Sequence, residues 1–204
     1  MDELVEGYRR FRATQWPKER ERFETVADHG QHPRAMVIAC SDSRVDPQMI
    51  LGARPGELFV VRNIANLIPP FEQDAAYHGT SAALEFGIRT LEVAHLIVMG
   101  HGMCGGVKAL LEGAPPEGSD FVAHWIEIAA PARTAAAGLP PEQQHRACEE
   151  ATVRLSLQNL MTFSWVRERV EDGRLQLHGG YFDIRHGVLF LLQPDGTFAA
   201  APGS

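Results

Sequence analysis

Two short apolar runs frame this chain. Ala35-Met36-Val37-Ile38-Ala39 and Leu96-Ile97-Val98-Met99-Gly100 show no polar alternation and end at polar or Gly-rich sequence. Runs of this kind predict strands buried on both faces of a parallel sheet. Glu57-Leu58-Phe59-Val60-Val61-Arg62 predicts a further strand ending at Asn63. Leu175-Gln176-Leu177-His178 and Val188-Leu189-Phe190-Leu191-Leu192 predict two more, joined as a hairpin through the turn at 183–187.

Between these runs the spacing becomes helical. Residues 2–27 predict two helical pieces, with Pro17 in the first turn of the second and Leu4, Val5, Tyr8, Phe11 and Arg12 close to helical spacing in the first. Asp46-Pro47 starts a short helical segment, and residues 64–76 predict a loop around Pro69-Pro70. Gly79-Thr80-Ser81 leads into a helix to about Leu91, with Ala83, Phe86 and Thr90 near one face. Gly105-Gly106 opens a helix to Leu111, followed by a Gly/Pro-rich loop at 113–119 and short helices over 120–138 divided at Pro131. Pro140-Pro141 begins a long helical stretch, interrupted near 161–163 and ending at Asp172-Gly173.

The order of elements predicts an α/β fold. A mainly parallel four-stranded sheet carries an added antiparallel edge strand and is flanked by helices. Residues 1–204 read as a single domain in which 1–33 form an N-terminal helical arm, packed on its own body or across a partner subunit.

Composition narrows the function classes. At 204 residues and 45% hydrophobic, the chain suffices for one core of ordinary size. A net charge of −7 without a Lys/Arg stripe argues against a nucleic-acid partner. Every apolar run is too short to span a bilayer, so no membrane partner is expected. The acidic start Met1-Asp2-Glu3-Leu4-Val5-Glu6 lacks a signal pattern, and a cytoplasmic location follows as the expectation. Three cysteines are too few for a disulfide framework and read as ligands plus one spare, Cys148.

The candidate chemistry sits where two strands end. Cys40-Ser41-Asp42-Ser43-Arg44 follows the first run, and His101-Gly102-Met103-Cys104 follows the second. Open α/β sheets build sites at the carboxyl ends of their strands. Two thiolates and an imidazole suit zinc (Zn2+), and three protein ligands leave the fourth position open, as in catalytic sites. Each cysteine alone would read as buried and inert. Together, and beside Asp42 and Arg44, they favour a metal. Arg44 would keep Asp42 ionised and aimed; released from Arg44, Asp42 becomes a fourth ligand in a closed state.

Cys-x-Asp-Ser-Arg followed by His-x-x-Cys-Gly-Gly resembles the β-class carbonic anhydrases. The similarity continues through Arg62-Asn63-Ile64-Ala65-Asn66, Leu155-Ser156-Leu157-Gln158-Asn159-Leu160 and Leu177-His178-Gly179-Gly180-Tyr181-Phe182-Asp183, over roughly residues 30–192. The resemblance implies a zinc lyase that hydrates carbon dioxide reversibly to bicarbonate and a proton by attack of zinc-bound hydroxide. It also implies an intimate homodimer, often assembled into a tetramer or larger. It assigns Cys40, His101 and Cys104 as zinc ligands and Asp42 with Arg44 as the catalytic dyad. Gln31 takes the place of a donor to substrate oxygen, from its own or the neighbouring subunit. Phe59, Ile64 and Phe86 fall on apolar pocket positions, some across the dimer interface, and Gly105 offers a backbone N–H to product. Phe86 and Ile64 stand where Tyr and Val are familiar. Val37 and Ala39 replace the Trp and Gly of the allosterically closed subgroup, so the chain is similar to the open, plant-like one.

Three other readings remain: hydrolysis of carbonyl sulfide or carbon disulfide on the same scaffold, a non-catalytic zinc or thiol sensor, and a bare scaffold dimer. The Asp42/Arg44 pair favours catalysis over sensing. Proton release is open among His29, His32 and His78.

Overall fold

The computed structural model describes residues 1–74, 76–114 and 120–203. Its centre is a six-stranded sheet in the order β2-β1-β3-β4-β5-β6. The strands are β1 (Ala35–Cys40), β2 (Leu58–Asn63), β3 (His95–His101), β4 (Gln176–Asp183), β5 (Val188–Leu192) and β6 (Phe198–Ala200). The first four strands of that order run parallel, and β5 and β6 are antiparallel. The sheet thus continues one short strand beyond the expected edge. Ala39 pairs with Met99 and Cys40 with Asn63, which sets the carboxyl ends of β1, β2 and β3 side by side.

The helices are α1 (Asp2–Arg10), α2 (Trp16–His29), α3 (Pro47–Ile50), α4 (Gly79–Glu85), α5 (Gly105–Glu112), α6 (Val122–Ile126), α7 (Ala130–Ala136), α8 (Pro141–Leu160) and α9 (Ser164–Glu171). Two helical expectations change in detail. A π-helical turn at Phe11–Gln15 joins α1 to α2, so the two pieces form one nearly continuous rod. Pro131 lies in the first turn of α7, where its missing N–H costs nothing, and so it starts that helix instead of dividing two. The expected loop at 113–119 falls, at 115–119, outside the described residues.

Strand alternation sends Met36 and Ile38 to one face, where they meet Leu84, Ile88, Val153, Leu160, Phe163 and Val166 from the helices. Val37 and Ala39 point to the other face, where Ile50, Leu51 and Leu58 cover them more thinly. A third cluster gathers Cys40, Val45, Leu67, Cys104, Val107, Ile126 and Cys148 around the carboxyl strand ends. α8 crosses β3 closely at Gly100, where a Cβ would stand 2.7 Å from Val153 Cγ2. That contact brings α8 against the residues entering the His101 turn. Among the described residues α1 buries none of its side chains, and no helix is long and apolar enough to cross a membrane. α2 is tied to the loop before β2 by Arg54 Nη2 and Glu19 Oε2 at 2.9 Å.

Candidate metal centre

Cys40 ends β1 and His101 ends β3 on the neighbouring strand; the chain then turns through Gly102 and Met103 to Cys104, which caps α5. The side chains of Cys40, His101 and Cys104 are all buried, and their donor atoms lie within 4.8 Å of one another. The sulfurs of Cys40 and Cys104 are 4.0 Å apart. A tetrahedral ion with Zn–S bonds near 2.3 Å would set two sulfurs roughly 3.8 Å apart, so the spacing fits zinc.

The histidine completes the fit. His101 Nδ1 lies 2.9 Å from the carbonyl oxygen of Gly102, which can only accept, so Nδ1 carries the proton. Nε2 is left as a bare lone pair, buried and without a hydrogen-bond partner in the protein. A buried nitrogen held this way by its outer partner is how imidazole ligands are presented to a metal. The thiols show the same preparation. The Cys104 side chain beside it, then His101 and the backbone N–H groups of Asp42 and Ala65, push the Cys40 thiol down to about 4 against the cost of burial. Cys104 is pushed up by its contact with Cys40 and by burial, while N–H groups of Val107 and Gly106 draw it down.

Asp42 stands just outside this donor group. Arg44 donates Nε to Oδ1 at 2.9 Å and Nη2 to Oδ2 at 2.7 Å, and its backbone N–H reaches Oδ1 at 3.0 Å. Those bonds hold the Asp42 carboxyl well below the usual carboxylate range. Arg44 Nη2 also donates to the Met103 carbonyl at 3.0 Å, which joins the dyad to the His101–Cys104 turn.

Arg62 fixes the Cys40 loop from below. Its guanidinium donates to the carbonyls of Cys40 at 2.9 Å, Asp42 at 2.6 Å and Val45 at 3.2 Å. Sequence reasoning gave Arg62 no role, although a charged residue at the end of an apolar strand was the available signal. Glu149 on α8 was missed entirely. It is 2% exposed, accepts the Cys104 N–H, and is pushed up by burial.

A cleft of about 1020 Å³ opens beside the centre, walled by Ser41, Asn63, Ile64, Thr80 and Trp125. Trp125 Nε1 donates to the Ile64 carbonyl at 2.8 Å. Of the three candidate histidines, His78 lines this cleft, with Nε2 2.7 Å from Asp74 Oδ1. Gly105 follows Cys104 directly, with open space where a side chain would be.

The other expected substrate residues lie elsewhere on this chain. Gln31 is exposed in the loop that enters β1, at the end of the strand opposite Cys40. Phe59 and Phe86 stack on each other at 5.8 Å between ring centres. Phe59 pairs with Met36, also towards the amino end of the sheet.

Comparison with known proteins agrees with this geometry. The carbonic anhydrase family model matches residues 35–189. Beta carbonic anhydrase 5, chloroplastic, of Arabidopsis thaliana is 38% identical over 189 residues, covering 90% of this chain and 62% of its own length. Beta carbonic anhydrase 6, mitochondrial, of the same plant is 40% identical over 190 residues, covering 90% of this chain and 64% of its own. The chain therefore spans less than two thirds of the length of these two relatives. Among solved structures, the β-carbonic anhydrase CcaA superposes with a TM-score of 0.92 at 34% identity, over 100% of this chain and 92% of that one. One of two tetrameric β-carbonic anhydrases from Sordaria macrospora gives 0.82 at 26% identity, over 98% of each chain. With the family model spanning most of the sequence and curated relatives at this identity, the chain belongs to the β class of the carbonic anhydrase family.

Proposed function

We propose that this protein catalyses the reversible hydration of carbon dioxide to bicarbonate and a proton, with zinc held by Cys40, His101 and Cys104. The observation that carries this reading is the buried, unpartnered His101 Nε2 beside two thiols, with an Arg-held carboxylate next to them but outside the donor group. Zinc in such a site supplies Lewis acidity that makes water a nucleophile, less strongly than with three neutral ligands because two thiolates already offset its charge.

The chain's own residues do the rest. Asp42, kept ionised by Arg44, can only accept a hydrogen bond, and so it orients a proton-bearing nucleophile. Its engagement with Arg44 supports the open arrangement, with Asp42 as a ligand reserved for a closed state. Ile64 offers an apolar wall to a nonpolar gas, and the N–H of Gly105 is available to an anionic product. Gln31 precedes β1, and Phe59 of β2 stacks on Phe86 towards the amino end of the sheet, away from Cys40, so we assign their substrate contacts to a second copy of the chain. The homodimer is then the functional unit. The solvent-exposed apolar face of α1, with Leu4 72% and Tyr8 61% exposed, suits an arm laid on the partner. Further assembly would resemble the Sordaria tetramers. Three free, buried cysteines support a reducing compartment, and we propose cytoplasmic residence and a single domain over 1–204.

Because Asp42 stays ionised, the remaining titration is that of the attacking water. Hydration is expected to increase with pH across roughly pH 6.5 to 9, and a flat profile there would contradict the mechanism. A steep onset only above about pH 8 would signal closure by Asp42. Running carbonyl sulfide beside carbon dioxide identifies the substrate: faster turnover of the sulfur compound would replace the proposed reaction with its hydrolysis.

A further inference from the structure

The residues that grip the Cys104 turn come from α8 and β4, which carry no candidate ligand. Glu149 Oε1 accepts the Cys104 N–H at 2.9 Å, and Oε2 accepts the Tyr181 hydroxyl at 2.9 Å. Both side chains are buried, Glu149 at 2% and Tyr181 at 4% exposure. Arg146 lies over the Tyr181 ring, 5.2 Å from its centre, and does not reach the Glu149 carboxyl as an ion-pair partner; its own partner is Glu150. A buried carboxyl without an ion pair is costly, and an apolar residue would fill a helix–sheet contact at less cost. What the carboxyl provides here is two directed acceptors at one point.

The turn needs holding. Met103 sits at φ +57°, a left-handed conformation that is strained for a non-glycine residue. Gly102 bonds its N–H to the Phe182 carbonyl at 2.9 Å, and a Cβ on Gly102 would stand 3.0 Å from the Tyr181 hydroxyl. Arg44 holds the Met103 carbonyl from the dyad side, and Glu149 holds the Cys104 N–H from the opposite one.

We propose that Glu149 and Tyr181 are positioning residues for the metal, a buried clamp that fixes the Cys104 sulfur against Cys40 and His101. α8 and β4 would thereby set the affinity of the centre. The proposal rests on reading that centre as a metal site. Without the clamp the Cys104 turn relaxes between metal-binding events, and reordering it opposes binding.

The test is zinc affinity of the full chain, measured by competition with a chromophoric chelator. The visible spectrum of the cobalt(II) form reports ligand geometry, and melting of metal-free and zinc-loaded protein reports stability. Glu149→Ala is expected to weaken zinc binding about 10–100-fold, the usual consequence of losing an outer partner of a ligand. Tyr181→Phe removes one hydroxyl and is expected to weaken it by about tenfold. Glu149→Gln keeps an oxygen for the Cys104 N–H and is expected to bind close to the wild type; weakness equal to that of the Ala variant would overturn the clamp. A merely structural role would lower both melting temperatures equally, whereas the clamp predicts a smaller metal-induced rise in the Ala and Phe variants. If Glu149→Ala does not fold, Tyr181→Phe decides: wild-type zinc affinity with an unchanged cobalt spectrum overturns the proposal. Failure of the wild type itself to bind zinc overturns the underlying metal reading instead.

Discussion

Asp42→Asn is expected to bind zinc as the wild type does and to lose carbon dioxide hydration by on the order of 10²–10⁴-fold. Zinc is retained because Asp42 lies outside the cluster of donor atoms. Turnover is lost because the carboxylate's value lies in accepting only. Arg44 brings donors to both oxygens, Nε at 2.9 Å to Oδ1 and Nη2 at 2.7 Å to Oδ2. An amide presents its NH2 to one of these donors, which forces it to rotate or to repel Arg44. In either pose it can donate a hydrogen bond towards the nucleophile and misdirect it. The sign of the pH effect separates Asp42 from the attacking water. Its folded pKa is depressed by Arg44, so its contribution to stability is present above the ordinary carboxylate range and disappears only as pH falls through the depressed value. Asp42 therefore cannot cause the rise in activity above neutrality. Metal analysis and stopped-flow hydration on the same sample check both halves, and full activity in Asp42→Asn would remove this residue from the mechanism.

Co-expressing Gln31→Ala with Asp42→Asn is expected to restore activity that neither variant has alone. Gln31 precedes β1 and Cys40 ends it, and six residues of strand at about 3.3 Å each separate them by roughly 20 Å. No side chain spans that gap within one chain. If Gln31 serves the neighbouring site, a mixed dimer pairs an intact Asp42 with the partner's intact Gln31 at one site and leaves the other site doubly impaired. With random pairing, half of the dimers are mixed, and about a quarter of all sites recover. Turnover near that fraction of wild type supports a site completed across the interface. No recovery places Gln31 outside the reaction or within its own subunit.

These two residues also show what was legible in the sequence. The strands β1 and β3 announced themselves as unbroken apolar runs, and the polar residues after each run carried the site with them. Cys40, His101 and Cys104 could therefore be grouped from the sequence alone. β6 could not be read, because Phe198-Ala199-Ala200 is too short to show a period. The π-helical link at Phe11–Gln15 was hidden by Pro17, a helix-start signal that suggested a break. Glu149 was hidden for a different reason. The buried residues of α8 mix Cys148, Glu149, Thr152 and Ser156 with Val153 and Leu160, so no clean apolar stripe marks the inner face. A glutamate there reads as solvent-facing until the Cys104 turn is seen against it. Gln31 illustrates a further limit: local sequence places it before β1, at the end of the strand opposite Cys40, and gives it no partner there.

If zinc at Cys40, His101 and Cys104 drives carbon dioxide hydration, activity must follow the metal. Stopped-flow hydration on zinc-loaded, metal-stripped and zinc-restored full chain tests it most directly. Fast turnover is expected in the loaded protein, with loss to the uncatalysed rate on stripping and recovery on adding zinc back. Stoichiometric zinc with no turnover above the uncatalysed rate, at any pH from roughly 6.5 to 9, would contradict it.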